Sequence, residues 1–278
     1  MTRLVVTSAS GPNGDGYGAV LNFTGEGQLI GPFSDDVRVS DPRGLSVHPT
    51  KRLVYLNSGD NRILALDHHG AVSLDSGRIN GLDPGGGVFG PDGRYYITLR
   101  RQGTIMAFPA GLHHPGTTLL PEGVVPFPRG FGFGPNGEIY LSSGIGPSAQ
   151  GDNTIAVFSP DGTTIESALV DDPELSPLDL TVAPNGNLVV SSEWPFGSPD
   201  AIATIREYLP STGELLRVLG APPSVGFARP RGLRYAGEDR LYCVGQHHVV
   251  AFQFSSGAFL KVVAELKNLN GQAIVVIP

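Results

Sequence analysis

Short apolar runs recur along the chain, each bounded by Gly or Pro. One such segment reads GLSVHP at Gly44 to Pro49, GGVFGP at Gly86 to Pro91 and GFGFGP at Gly130 to Pro135. It returns as DLTVAP at Asp179 to Pro184, GLRYAG at Gly232 to Gly237 and AIVVIP at Ala273 to Pro278. The starts are 42, 44, 49, 53 and 41 residues apart, a period found in propeller blades. A turn follows most copies, with Pro91-Asp92-Gly93, Pro135-Asn136-Gly137 and Pro184-Asn185-Gly186 the clearest. These are residues that favour tight hairpins. A second run comes next, such as Leu53-Val54-Tyr55-Leu56 or Leu241-Tyr242-Cys243-Val244. A third follows, such as Ile105-Met106-Ala107-Phe108, and then a weaker fourth, such as Leu215-Leu216-Arg217-Val218.

Four runs per period predict a four-stranded antiparallel blade. The inner runs are nearly continuous in apolar residues, as expected where both faces of a strand are covered by neighbouring blades. The chain ends fix the expected number. The first unit supplies Leu4-Val5-Val6-Thr7, Val20-Leu21-Asn22-Phe23 and Gln28-Leu29-Ile30 but no innermost strand, while Ala273 to Pro278 is an innermost strand with nothing after it. The expectation is an all-β, six-bladed β-propeller occupying 1–278 as a single domain. The C-terminal strand would complete the N-terminal blade and close the ring, removing two sheet edges.

Composition narrows the picture. The chain has 278 residues with 39 Gly and 24 Pro, a share that suits many short strands and turns once 40% hydrophobic content is counted. A net charge of −7 argues against a nucleic-acid surface, which needs a basic stripe. No apolar run has the length of a membrane helix. The opening Met1-Thr2-Arg3-Leu4-Val5-Val6-Thr7 lacks the pattern of a secretory signal. A lone Cys243 excludes an internal disulfide and suits a reducing compartment. The expectation is a cytoplasmic protein with neither nucleic-acid nor membrane partner.

The second unit carries a family mark. It runs Asp41-Pro42-Arg43-Gly44-Leu45-Ser46-Val47, then Leu53 to Ile63 as LVYLNSGDNRI, then Leu66-Asp67-His68-His69-Gly70. This resembles the NHL repeat, with its P-x-G opening, aromatic second strand and G-x-N-R-I step. The related SMP-30/gluconolactonase-like propellers hold a divalent metal at the channel mouth with Glu, Asn and Asp at the start of innermost strands. The matching positions here are Arg43, Gly85, Arg129, Leu178, Arg231 and Gln272, so that ligand pattern is not present. The single nearby acid, Asp179, cannot build a calcium site alone. No cofactor is expected, and a divalent metal gains no support from the family positions.

Candidate chemistry concentrates on the face where innermost strands begin, here called the top. Its loops at Ala9 to Gly18, Gly144 to Asn153 and Glu193 to Ala203 are long, and loops on a rigid scaffold commonly carry function. Arg43, Arg129 and Arg231 would ring the channel mouth and bind a carboxylate or phosphate; the plainer reading pairs them with neighbouring acids. Glu193 and Trp194, in Glu193-Trp194-Pro195-Phe196-Gly197, would wall a pocket or simply plug the top of the ring. His247 and His248, placed on a short loop, are candidates for acid–base work; a solvated pair is the bland alternative. The pairs His68-His69 and His113-His114 fall on the opposite rim. The Gly-rich stretch Gly11 to Gly16 lacks the Lys-Ser/Thr ending of a phosphate loop.

The catalytic candidates are therefore His247, His248 and Glu193, and the ligand-binding ones Arg43, Arg129, Arg231, Trp194 and Asp179. The expected function is binding of a small anionic molecule at the top-face mouth, with lyase or lactonase-like hydrolase chemistry as the analogy. The alternative is a non-catalytic scaffold for a protein partner. A weaker third reading is metal-dependent catalysis by Asp60, Asp152, Asp179 and Glu193.

Overall fold

The structure, a computed structural model, describes residues 2–10, 18–112, 116–145, 151–198, 200–237 and 239–278. Gly11 to Gly16 and His113-His114 lie outside the described residues, as do parts of the three long top loops. The strands, in chain order, are β1 (Arg3–Ser8), β2 (Ala19–Thr24), β3 (Leu29–Ser34), β4 (Pro42–Val47), β5 (Leu53–Ser58), β6 (Arg62–Asp67) and β7 (Val72–Asp75). Next come β8 (Pro84–Phe89), β9 (Tyr95–Leu99), β10 (Thr104–Phe108), β11 (Thr117–Thr118), β12 (Pro128–Phe133), β13 (Ile139–Ser143), β14 (Thr154–Phe158) and β15 (Thr164–Glu166). The last are β16 (Pro177–Val182), β17 (Leu188–Trp194), β18 (Ile202–Tyr208), β19 (Leu215–Leu219), β20 (Ala228–Ala236), β21 (Arg240–Gln253) and β22 (Ala258–Ile277).

These strands form an all-β propeller of antiparallel sheets, but with five blades, not six. Four blades have four strands each: β4 to β7, β8 to β11, β12 to β15 and β16 to β19. The fifth is one six-stranded sheet in the order β20-β21-β22-β1-β2-β3. The expected sixth unit is not separate because β21 and β22 run on without a break. The first part of β21 pairs with β20 from Ala236↔Arg240, and its later part pairs with β22 down to Gln253↔Ala258. The end of β22 then pairs with β1, from Arg3↔Ile277 to Thr7↔Ala273. Hydrogen bonding thus passes continuously from the last strands to the first.

Burial follows distance from the axis. The second strand β5 is buried at Val54 to Ser58, whereas the outer strand β15 is exposed throughout. The core lies between neighbouring sheets. Val5, Val20 and Val275 pack on Leu45, Val54 and Leu56, and each such side chain contributes about 1.5–3 kcal/mol by leaving water. Cys243, fully buried, packs among Leu233, Leu241 and Phe252 as a small apolar residue. The hairpin at Pro135-Asn136-Gly137 turns at Gly137, whose φ of +86° disfavours other residues.

Innermost strands meet around the axis in the order β4, β8, β12, β16, β20 and the end of β22, which returns to β4. Their opening glycines permit that approach. A Cβ on Gly130 would overlap Asp179 Oδ1 and the backbone nitrogen of Leu180, and one on Gly232 would sit 2.6 Å from Ala273 Cα. No helix among the described residues is long and apolar enough to cross a membrane.

Candidate functional site

Hydroxyl and amide groups at the top ends of second strands fix the openings of the innermost strands. Thr7 Oγ1 donates to the Arg43 carbonyl at 2.9 Å, and Asn57 Nδ2 to the Gly85 carbonyl at 2.9 Å. The N–H of Asp179 donates to Ser191 Oγ at 2.9 Å, and Ser191 Oγ donates to the Arg231 carbonyl at 2.9 Å. These side chains are buried, where a satisfied hydrogen bond holds backbone position firmly.

This belt places one well at the channel mouth. The six positions Arg43, Gly85, Arg129, Leu178, Arg231 and Gln272 all line it. So does Asp179, and so do two residues the sequence reading missed, Arg100 and Arg234. The space open to the centre of a water molecule is about 70 Å³. A single water needs about 10–15 Å³ on that measure, so the well admits a few waters or a small head group. Arg234 crosses the lumen, donating from Nη2 to the Leu45 carbonyl at 3.0 Å and lying 3.6 Å from Asp179 Oδ2.

The three expected arginines come together but are not equivalent. Arg43 is neutralised: Nε donates to Asp41 Oδ2 at 3.0 Å and Nη1 to Asp83 Oδ1 at 2.6 Å. Asp83 also lies 3.7 Å from Arg100 and 3.3 Å from Arg101. Burial alone would raise its pKa, but the Arg43 hydrogen bond and the three positive charges together bring it below the usual carboxylate range. Arg129 and Arg231 have no carboxylate within 4 Å among the described residues. Arg129 Nη2 donates to the Ile145 carbonyl, and Arg231 Nη1 to Gln272 Oε1. Among the described residues, the Nε of Arg100, Arg129 and Arg231 is each buried without a partner. Burial, followed by the charges of Arg231 and Arg100, lowers the Arg129 pKa; burial and Arg229 lower that of Arg231. Guanidiniums remain protonated in proteins, so an enclosed cation excess is present.

Aromatic rings brace this cluster. The Arg129 guanidinium carbon lies 4.6 Å from the Phe127 ring centre and 5.8 Å from that of Phe196, distances at which a ring face attracts a cation. Phe196, rather than Trp194, is the residue of its loop that reaches Arg129.

Of the remaining candidates, Asp179 lines the well and the others do not. Glu193 and Trp194 belong to β17, where they pair with Ala203 and Ile202, so the loop tip is shorter than expected. Glu193 is buried, and burial raises its pKa against the pull of Arg229 and Arg231. Asp179 is also raised by burial; it accepts from the N–H groups of Leu180 and Leu233, each at 2.9 Å, and so ties β16 to β20. His247 and His248 lie within β21, not on a loop, and do not line the well. His248 Nε2 is 4.0 Å from Glu265 Oε1 instead.

Metal chemistry has no matching donor set here. Asp60 is held by Arg62 and Arg78, while Asp152 lies near Ser143. Among the described residues no three His, Cys, Asp or Glu side chains gather as ligands. The family metal positions converge on the well, but three of the six present guanidiniums, which repel a cation.

No protein-family model matches the sequence, and no curated protein matches it. The NHL resemblance therefore stands only as likeness of fold. A chain of a nidogen/laminin complex superposes with TM-score 0.76 at 16% identity, over 99% of this chain and 98% of that one. A streptogramin B lyase gives TM-score 0.60 at 18% identity, over 82% and 70%. A gluconolactonase of Xanthomonas campestris gives 0.62 at 15%, over 92% and 86%. At these identities the shared property is the propeller fold, on which different activities are built.

Proposed function

We propose that this propeller binds a small organic anion in the well at the top of its channel. Arg129 and Arg231 carry the charge recognition, with Arg100 beside them. The observation that carries this reading is their lack, among the described residues, of carboxylate partners in an enclosed space, while Arg43 on the same rim is paired with Asp41 and Asp83. Buried unpaired charge is costly, and an anion in the well offsets that cost. Guanidiniums also offer planar, paired N–H donors to carboxylate or phosphate.

Transformation of the ligand, of lyase or lactonase-like hydrolase type, remains an analogy to the lyase and gluconolactonase neighbours. The expected acid–base groups do not face the well, so binding is the primary role. A scaffold role draws on exposed Leu216 and Val218 on the edge strand β19.

The single tryptophan, Trp194, sits two residues from Phe196 and serves as a fluorescence reporter. A panel of small carboxylates and phosphates should perturb its emission saturably. The double variant Arg129→Gln/Arg231→Gln should lose the response. An unchanged response in that variant, with its melting temperature intact, would remove the basis for this reading.

A further inference from the structure

We propose that the well takes the dianionic phosphoryl head of a phosphomonoester, with the organic part of the ester lying outward against Phe127 and Phe196. This rests on the anion-binding reading above and adds the class of ligand.

Charge balance is the first support. Arg129 and Arg231 each lack a carboxylate, and Arg100 has only Asp83 at 3.7 Å, an acid already held by Arg43 at 2.6 Å. A monocarboxylate in the well would leave one of the two unpaired guanidiniums uncompensated. A phosphomonoester, whose second ionisation falls near pH ~6, carries close to two charges at neutral pH. Asp179, which also lines the well, is already engaged by Arg234 at 3.6 Å and by the N–H groups of Leu180 and Leu233.

Donor number is the second. A guanidinium has five N–H donors, and among the described residues Arg129 and Arg231 each spend one on a protein oxygen. The protein thus supplies more donors than acceptors at the well, and three phosphoryl oxygens accept more of them than one carboxylate does.

Shape is the third. The well, with about 70 Å³ open to the centre of a water molecule, admits a compact tetrahedral head. Arg234 spans the lumen behind it through its bond to the Leu45 carbonyl, so the rest of the molecule must leave by the mouth. There the half-buried Phe127 and Phe196 rings flank Arg129 and offer apolar surface to a ring or chain.

The test is calorimetric titration of the protein at pH 7.5 with inorganic phosphate, phenyl phosphate, acetate and benzoate. It is repeated on Arg129→Gln and Arg231→Gln, with thermal melting as the check on folding. Phenyl phosphate should bind tightest, inorganic phosphate next, and both carboxylates at least about tenfold more weakly than the phosphate of matching size. Each variant should weaken phosphate binding by about tenfold or more. Benzoate binding as tightly as phenyl phosphate, with loss in both variants, would overturn the phosphomonoester inference while leaving the anion site in place. Binding of none of the four, or binding indifferent to both variants, would overturn the inference together with the reading it rests on.

Discussion

Arg43 Nη1 donates to Asp83 Oδ1 across 2.6 Å, joining the opening of β4 to the opening of β8, 40 residues along the chain. That one pairing separates two kinds of arginine at the channel mouth. Arg43 is committed to protein carboxylates, and Arg129 and Arg231 are not. Asp83 therefore does two things: it tethers neighbouring blades and it limits the positive charge of the well.

Replacing it should affect both. Asp83→Asn leaves Arg43 held by Asp41 alone and removes the acid near Arg100 and Arg101. Anion affinity should rise severalfold, and stability should fall by about 1–3 kcal/mol, the range for a hydrogen bond to a charged group. Calorimetry and urea unfolding measure the two effects. Weaker anion binding would show that Asp83 positions the site rather than tempering its charge.

Glu193 gives the site a pH dependence. Burial raises its pKa, with Arg229 and Arg231 opposing, so it takes up a proton above the pH expected for an exposed Glu. Asp179 is raised in the same direction. As pH falls, the negative charge near the arginines is lost and an anion is held more tightly. Sulfate stays dianionic over this range and reports the protein alone. Its affinity should increase between pH 7.5 and 5, and Glu193→Gln should flatten that slope. A slope unchanged in Glu193→Gln would assign the titration to another group.

Stability has its own acid limb. Asp172 Oδ2 accepts from Arg206 Nη1 and from Tyr208 Oη, each at 2.6 Å, and Arg206 is almost wholly enclosed. Burial would raise the Asp172 pKa, but these partners bring it below the ordinary value. A carboxylate depressed in the folded state stabilises it above the unfolded pKa of ~3.9. That contribution disappears as pH falls through the folded value. Asp172→Asn should cost about 3 kcal/mol at pH 7, because it strips a buried guanidinium of its closest partner. The loss should shrink in acid. Urea unfolding at pH 7 and pH 3 gives the comparison.

Gly130 tests the packing of the ring. Its α-carbon lies where a methyl group would overlap Asp179 and Leu180, so Gly130→Ala must push β12 and β16 apart. Overpacking of this kind costs about 1–3 kcal/mol, and the shift also moves Arg129, the adjacent residue. Chemical denaturation should show the loss, and phosphate titration should show weakened binding in the same variant.

Much of the fold was legible because blades repeat a local pattern. Gly44, Gly86, Gly130 and Gly232 mark strands that approach one another closely, and the turn at Asn136-Gly137 needs its positive φ. The blade number was misread at the last repeat. His247-His248 looked like a turn between strands, whereas β21 continues through both, and β22 then runs on from its pairing with β21 into its pairing with β1. Arg129 and Arg231 could be located because they occupy the position before the opening glycine of their repeats. Arg100 escaped notice because it follows a second strand, outside that position. Pairing of Arg43 with neighbouring acids was the plainer reading of the sequence, and Asp41, two residues away, fits it. The other partner of Arg43, Asp83, belongs to the next blade, and the packing of β4 against β8 brings them together.

The central claim is that Arg129 and Arg231 form an anion site at the channel mouth. Crystals soaked in selenate, a tetrahedral dianion with an anomalous scattering signal, test it most directly. The account predicts an anomalous peak in the well, within hydrogen-bonding distance of the Nη atoms of both arginines, which disappears in Arg129→Gln/Arg231→Gln crystals. Peaks confined to the outer surface, with the well empty of selenium at the same soak concentration, would contradict it.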